Sequence, residues 1–463
     1  MIKKSVVLIL LMLACAQMIA QKKNPKTDTN VTVAMKAENW TAKNSGALKF
    51  ADHNGVPSME ITVGGETATA NNVNFGNGTI EFDVEFINGF LGFYFHRESE
   101  EEGEIFYLRN RPGDATATDA VQYAPIIKKV NMWDMYPLYQ TAAKFKQGEW
   151  THVKLVISGN QMLVYVNDMN PTLVVPRLEG NVKTGTIGFS GTCFVSNVVL
   201  KPNQVEGLSP MGEFDPVYND NRYISSWHIS EPIDFPQGQE CSSSNPPGLQ
   251  TKWRKITAER MGLINVTRLY GQSTSRRMVW LRTTLVSKGE QKRKINLGFS
   301  DEVWVILNGR TAYTDKNLYA QDMRKTPDGR LSTDNSSFEI SLKDGKNDLL
   351  IGLANDFFGW GIIARLENRQ GIAFEEYVPE MVNKEFEQYF GTYASTEVQY
   401  KLKVFQMNNK LFVQPTGEGP IASESAGNGV FKIENAGITL EFNSADKKLS
   451  FKRGPSTYTF AKE

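Results

Sequence analysis

The sequence predicts an all-β protein built as an antiparallel β-sandwich (jelly roll), a second β jelly roll and a small C-terminal β-barrel. Three observations predict this. Apolar and polar residues alternate with period two along most segments, as in "TIEFDVEF" (79–86). Gly, Asn and Asp cluster between those segments, where chain reversals need them. Helical spacing of apolar residues emerges in only one stretch, "VPEMVNKEFEQYFGTYAS" (378–395). At 463 residues the chain is long enough for two to four domains.

The first twenty residues stand apart. "MIKK" supplies positive charge, "SVVLILLMLACAQMIA" an apolar core, and Ala20 a small residue before the polar "QKKNPKTDTN". That pattern is a secretory signal peptide with cleavage expected after Ala20. Its Ile-Ala-Gln junction resembles exported proteins of Bacteroidota, which implies a periplasmic or cell-surface location. Leu13-Ala14-Cys15 also spells the end of a lipobox, so tethering through Cys15 is the alternative. Residues 21–30 read as a flexible lead-in. No later segment is long and apolar enough for a transmembrane helix.

From residue 31 the strands follow in order. In "TIEFDVEF", Ile80, Phe82, Val84 and Phe86 share one face, and Glu81, Asp83 and Glu85 the other. "FLGFYFHR" (90–97) and "EIFYLRNR" (104–111) come next, and "WTHVKLVI" (150–157) is joined to "MLVYVND" (162–168) through a Ser-Gly-Asn-Gln hairpin. "TGTIGFSG" (184–191) and "CFVSNVVLKP" (193–202) complete the series. This succession over 31–202 resembles the laminin G-like, concanavalin A-like lectin/glucanase fold. The resemblance implies an architecture shared by lectins and glycosidases.

"KPNQVEGLSPMGEFDP" (201–216) is a Pro/Gly-containing connector, and a second β segment follows over 203–374. "VWLRTTLVS", "RKINLGFSDEVWVILNGR" and a late "GWG" strand resemble the galactose-binding-like jelly roll, a module common beside carbohydrate-active domains. Trp280, Trp304 and Trp360 are expected in its core, and Asn308-Gly309 in a type I′ turn. The last part, 375–463, resembles the lipocalin-like module that trails bacterial serine hydrolases, through Tyr393, Leu411-Phe412 and Phe431.

Charge excludes some functions. Lys+Arg and Asp+Glu number 51 each, without the basic face that a nucleic-acid binder needs. His53, His96, His152 and His228 form no metal spacing, and Cys193 and Cys241 need not pair. No cofactor is expected, although Ser300-Asp301-Glu302 and Asn355-Asp356 offer oxygens suited either to calcium or to turns. Nucleophile elbows and phosphate-binding loops are missing. Ser444-Ala445-Asp446-Lys447 matches Ser-x-x-Lys in spelling only.

Two candidate sites remain. Glu81, Asp83 and Glu85 resemble the Glu-x-Asp-x-Glu strand of laminarinase-type retaining hydrolases, which implies nucleophile, tuning and acid/base roles in that order. Phe82 departs from the small aliphatic residue usual there. The blander reading is an exposed acidic strand face. The other candidate is a group for saccharide stacking and hydrogen bonding: His96, Tyr107, Arg109, Tyr123, Trp133 and Tyr136. These residues either contact a ligand or anchor the long loop that follows strand 104–111. The expectation favoured is a lectin-like protein that binds a poly- or oligosaccharide without catalysing its cleavage. A glycoside hydrolase using Glu81 and Glu85, or a structural envelope protein, are the alternatives.

Overall fold

A computed structural model of the chain describes residues 29–87, 89–109, 117–212, 220–241, 247, 251–320, 322–374, 384–407, 410–418 and 421–463. The signal-peptide and Cys15 readings lie outside the described residues, as do 110–116 of the long loop. The described chain is all-β, with antiparallel sheets throughout and α-helix confined to Val266–Tyr270 and Lys384–Glu387.

The first module is two packed sheets. The back sheet runs Leu173–Val175, Gln161–Val166, Thr151–Ser158, Gly78–Phe86, Cys193–Pro202, Val56–Ile61 and Leu48–His53. The front sheet runs Val130–Asn131, Val121–Ile127, Glu102–Arg109, Phe90–Arg97, Thr186–Ser190, Thr67–Ala70 and Trp40–Thr41. Alternation places Ile80, Phe82 and Val84 of the back sheet against Phe93 and Phe189 of the front, all with no exposed surface. The Phe82 ring lies 4.6 Å from Phe93 and 5.0 Å, edge-on, from Phe189. The hairpin at 158–161 closes with Gly159 and Asn160 between the paired Ser158 and Gln161, and Gly159 takes φ 57°. A Cβ there would lie 2.3 Å from the Pro210 carbonyl, so only Gly lets the connector dock on this turn.

The second module is again two-layered. One sheet runs Trp253–Thr257, Ser226–Ser230, Arg277–Ser287, Gly345–Asn355, Glu302–Leu307 and Arg310–Lys316. The other runs Leu263–Asn265, Gly361–Leu366, Gln291–Ser300 and Ser336–Leu342. Asn308 and Gly309 have φ 50° and 76°, the mirror-image turn expected for Asn-Gly. Trp360 fills the core between the sheets. Trp280 and Trp304 do not. They sit on the other side of their sheet, flanking Gly352, and are buried with Phe235, partly buried Trp253 and Cys241 packing against them. The sequence shows each tryptophan inside an apolar strand but not that both faces of that strand are covered.

Eight strands close the third module into a barrel, from Gly391–Ala394 to Ser456–Lys462. Tyr393, Leu411 and Phe431 fill its interior, while Phe412 projects outward and is half-buried. Ser444–Lys447 forms the turn between Ile438–Asn443 and Lys448–Arg453.

The loop after Val130–Asn131 joins the first two modules. Trp133 packs edge-on against Tyr319 (5.0 Å) and Phe358 (5.7 Å), with the Arg330 guanidinium over its ring. The buried Asp134 carboxylate accepts from the Gly359 amide at 3.1 Å, and its carbonyl accepts from Leu331 N at 2.8 Å. Gly359 and Gly361 admit Met135, whose side chain would lie within 2.3 Å of any added Cβ. About half of the front sheet's outer face is thereby covered.

Candidate functional site

Strand alternation orients the residues singled out above, and the packing of modules decides what they meet. Tyr107 does face outward from the front sheet, but Trp133, Tyr319 and Phe358 cover that region and leave it buried. Its hydroxyl accepts from Arg109 Nη2 at 3.2 Å. The half-buried Arg109 lies over the Tyr107 ring at 4.6 Å and donates to the Asp119 carbonyl (2.7 Å) and Gln122 Oε1 (3.0 Å). Tyr123 points into the sandwich core. Its hydroxyl donates to Glu104 Oε2 at 2.8 Å and accepts from Glu179 N at 2.6 Å. Tyr136 is buried with its hydroxyl among Asn265, Glu259 and Arg268 of the second module.

Strand alternation would put His96 on the outer face with Tyr94, and the structure does not place it there. The pairing of Phe90–Arg97 with Thr186–Ser190 shifts register between Thr186 and Gly188, and His96 takes φ 46°. This irregularity turns the imidazole inward, where Nε2 donates to the Gly76 carbonyl at 2.9 Å. Burial, which outweighs that bond, lowers its pKa to about 4, so the ring is neutral. His96, Tyr107, Tyr123, Trp133 and Tyr136 are all buried.

Glu81, Asp83 and Glu85 line the outer face of the back sheet, as alternation predicts. Each is partnered. Lys201 Nζ donates to Glu81 at 2.8 Å, and His53 Nε2 is 2.9 Å from Glu85. Asp83 accepts from His152 Nδ1 and Asn197 Nδ2, both at 2.7 Å. Burial would raise the Asp83 pKa, but these bonds outweigh it and hold the carboxyl below its ordinary value. The His53 ring stacks on Phe194 at 3.6 Å. Four residues of strand hold the Glu81 and Glu85 backbones about 13 Å apart. A retaining pair needs carboxyl groups about 5–5.5 Å apart.

The second-module oxygens are also engaged. Asp301 accepts from the Asp356 and Phe357 amides, and Glu302 pairs with Arg276 and Lys316. Cys193 and Cys241 are free thiols.

The uncovered half of the front sheet holds a cleft of about 580 Å³. Tyr94, two strand positions beyond Gly92, and Arg97 form one wall, with the guanidinium 5.0 Å over the half-buried ring. Arg97 Nη1 donates to Thr69 Oγ1 at 3.3 Å, and Thr67 and Thr41 extend that row of hydroxyls. Lys43 and Glu100 form an exposed pair at the rim, 2.6 Å apart. Asn131 also lines the cleft, and its Oδ1 is buried without a hydrogen-bond partner among the described residues. A buried acceptor without a partner is costly unless something else supplies the donor. Tyr94 is not among the residues singled out from the sequence. Its outward orientation was legible from Phe93 and Phe95 turning inward, but not that this half of the face stays open.

No family model and no curated protein matches the chain. Solved structures are similar to part of this chain. A carbohydrate-binding module from Bacillus subtilis, CBM66, is 14% identical, covering 35% of this chain and 95% of its own, with a TM-score of 0.27. A putative glycosyl hydrolase from Parabacteroides distasonis ATCC 8503 is 16% identical over 37% of this chain and 99% of its own, TM-score 0.24. A protein of unknown function with a galectin-like fold from Bacillus subtilis is 10% identical over 38% and 95%, TM-score 0.29. At these values the functional reading has to stand on the cleft itself.

Proposed function

We propose that this is an exported, multi-module saccharide-binding protein. Its first module takes a poly- or oligosaccharide in the front-sheet cleft and does not cleave it. The observation that carries this reading is the make-up of that cleft: an accessible aromatic ring beside a guanidinium, a row of threonine hydroxyls and the unfilled Asn131 acceptor. Sugar rings offer C–H faces to an aromatic side chain and hydroxyls to such polar groups. The amino-terminal segment, with its basic start and apolar core, supports export. Under this reading His96, Tyr107, Arg109, Tyr123, Trp133 and Tyr136 hold the module together around the site and do not contact the saccharide. The galactose-binding-like and lipocalin-like readings of the second and third modules belong to the same proposal.

Glycan-array screening of the mature chain, followed by calorimetry with the best ligand, tests it. Tyr94→Ala and Arg97→Ala should each weaken binding at least tenfold, and Glu81→Gln with Glu85→Gln should leave it unchanged. Release of reducing ends that disappears in the Glu81→Gln and Glu85→Gln variants would instead establish the hydrolase alternative. Undiminished binding in both cleft variants would move the site elsewhere.

A further inference from the structure

The three modules meet around a second cleft of about 540 Å³, which shares no lining residue with the front-sheet cleft. Its chemistry is two-sided. Arg177 and Lys183 of the first module and Arg260 and Arg268 of the second present positive charge, against Glu179, Glu259 and Glu418. The barrel contributes an apolar wall that includes the outward-facing Phe412.

The four cations are not equally satisfied. Arg268 is saturated: it pairs with Glu259 at 2.6 Å and donates to Asn181 Oδ1, the Glu179 carbonyl and the Tyr136 hydroxyl. Arg177, by contrast, makes one loose ion pair, 3.8 Å from Glu179. The other oxygen of Glu179 accepts from the Tyr139 hydroxyl at 2.7 Å and lies 4.0 Å from Arg260. The half-buried Lys183 ammonium has one described hydrogen bond, 3.3 Å to the Gly180 carbonyl. An ammonium offers three donors and a guanidinium five, so most of this donor capacity is unused among the described residues. Burial, with Arg177 and Arg268 adding to it, also lowers the Lys183 pKa, although Glu104 opposes the change. Two under-used cations and an aromatic ring lining one cleft, which is far larger than a single ion needs, fit an anionic group carried on a sugar.

We infer that this junction binds an acidic saccharide unit, a uronate or a sulfated sugar. Arg177 and Lys183 take its oxyanion and Phe412 takes the face of its ring. Occupancy would tie the modules together, because the ligand contacts residues of the first module and of the barrel at once. The inference does not depend on the front-sheet cleft.

Calorimetric titration of the full mature chain with oligogalacturonate, its methyl ester, a sulfated disaccharide and inorganic sulfate tests it. The acidic oligomers should bind, and the methyl ester at least tenfold more weakly. Arg177→Gln, whose side chain is partly exposed, and Lys183→Met should each lower affinity for the acidic sugars at least fivefold. Phe412→Ala should weaken sugar binding but not sulfate binding. Tyr94→Ala should change nothing at this site, which separates it from the first cleft. Equal affinity for the acidic oligomer and its methyl ester would overturn the inference, as would sugar affinity unaltered by Arg177→Gln. Sulfate binding as tight as that of the sulfated sugar, with the sugar's affinity also unaltered by Phe412→Ala, would reduce the site to a bare anion pocket and overturn the saccharide assignment.

Discussion

Replacing Glu104 by Gln removes a titrating proton from a site without exposed surface, so its effect should depend on pH. The carboxyl lies under the 179–180 turn, accepting from the Tyr123 hydroxyl at 2.8 Å and from Gly180 N at 3.1 Å. Burial pushes its pKa up from 4.5 to about 7, with Lys183 pulling the other way. A pKa raised on folding means that the folded state holds the proton more tightly. The associated stability is complete below pH 4.5 and is lost as pH rises through about 7. At about 1.4 kcal/mol per pH unit, that interval corresponds to roughly 3 kcal/mol. For a module of this size, 1 kcal/mol moves the melting temperature by about 2–4 °C, so the full effect is roughly ten degrees. Scanning calorimetry of wild type and Glu104→Gln between pH 4.5 and 8.5 measures it. The melting temperature of the variant minus that of wild type should climb by about that amount as pH rises. Asp134 and His96 titrate in both proteins and cancel in the difference. A difference that stays flat with pH would refute the reasoning.

Other perturbations test the remaining contacts. Trp133→Ala empties the space between Tyr319, Phe358 and Arg330, and should cost about 3–5 kcal/mol. It should also speed limited proteolysis between the first two modules, with Trp133→Phe intermediate. Gly180→Ala places a Cβ 2.4 Å from Glu104 Oε1 and should cost roughly 1–3 kcal/mol in urea unfolding. Lys447→Ala, in an exposed hairpin turn, should stay within about 0.5 kcal/mol of wild type and alter no ligand affinity.

Local pattern carried much of this molecule. The alternation in 79–86 correctly separated Phe82 and Val84, in the core, from Glu81, Asp83 and Glu85 on the opposite face, where Glu81 and Asp83 are half-buried and Glu85 is buried. Such a separation depends only on the two-residue repeat of a strand. The Gly-Asn and Asn-Gly turns were legible for the same reason, since positive φ is a property of one or two residues. His96 escaped this logic because one irregularity in strand pairing reverses the side chain, and no local residue announces it.

The candidate sites divide along the same line. The sequence by itself determined the all-β class, the succession of strands along the chain and the faces on which Tyr94 and Tyr107 lie. Alternation puts Arg97 on the side of Phe93 and Phe95, and only the strand irregularity at His96 brings it to the cleft. Only the tertiary structure decided which of those faces is covered. Tyr107 and Trp133 are buried by Tyr319 and Phe358, more than 180 residues further along the chain, whereas Tyr94 and Arg97 on the same sheet border an open cleft. Arg177, Lys183 and Phe412 likewise meet only where separate modules dock. Alternation is a short-range consequence of backbone geometry, but burial of a face depends on apolar contacts between segments far apart in sequence.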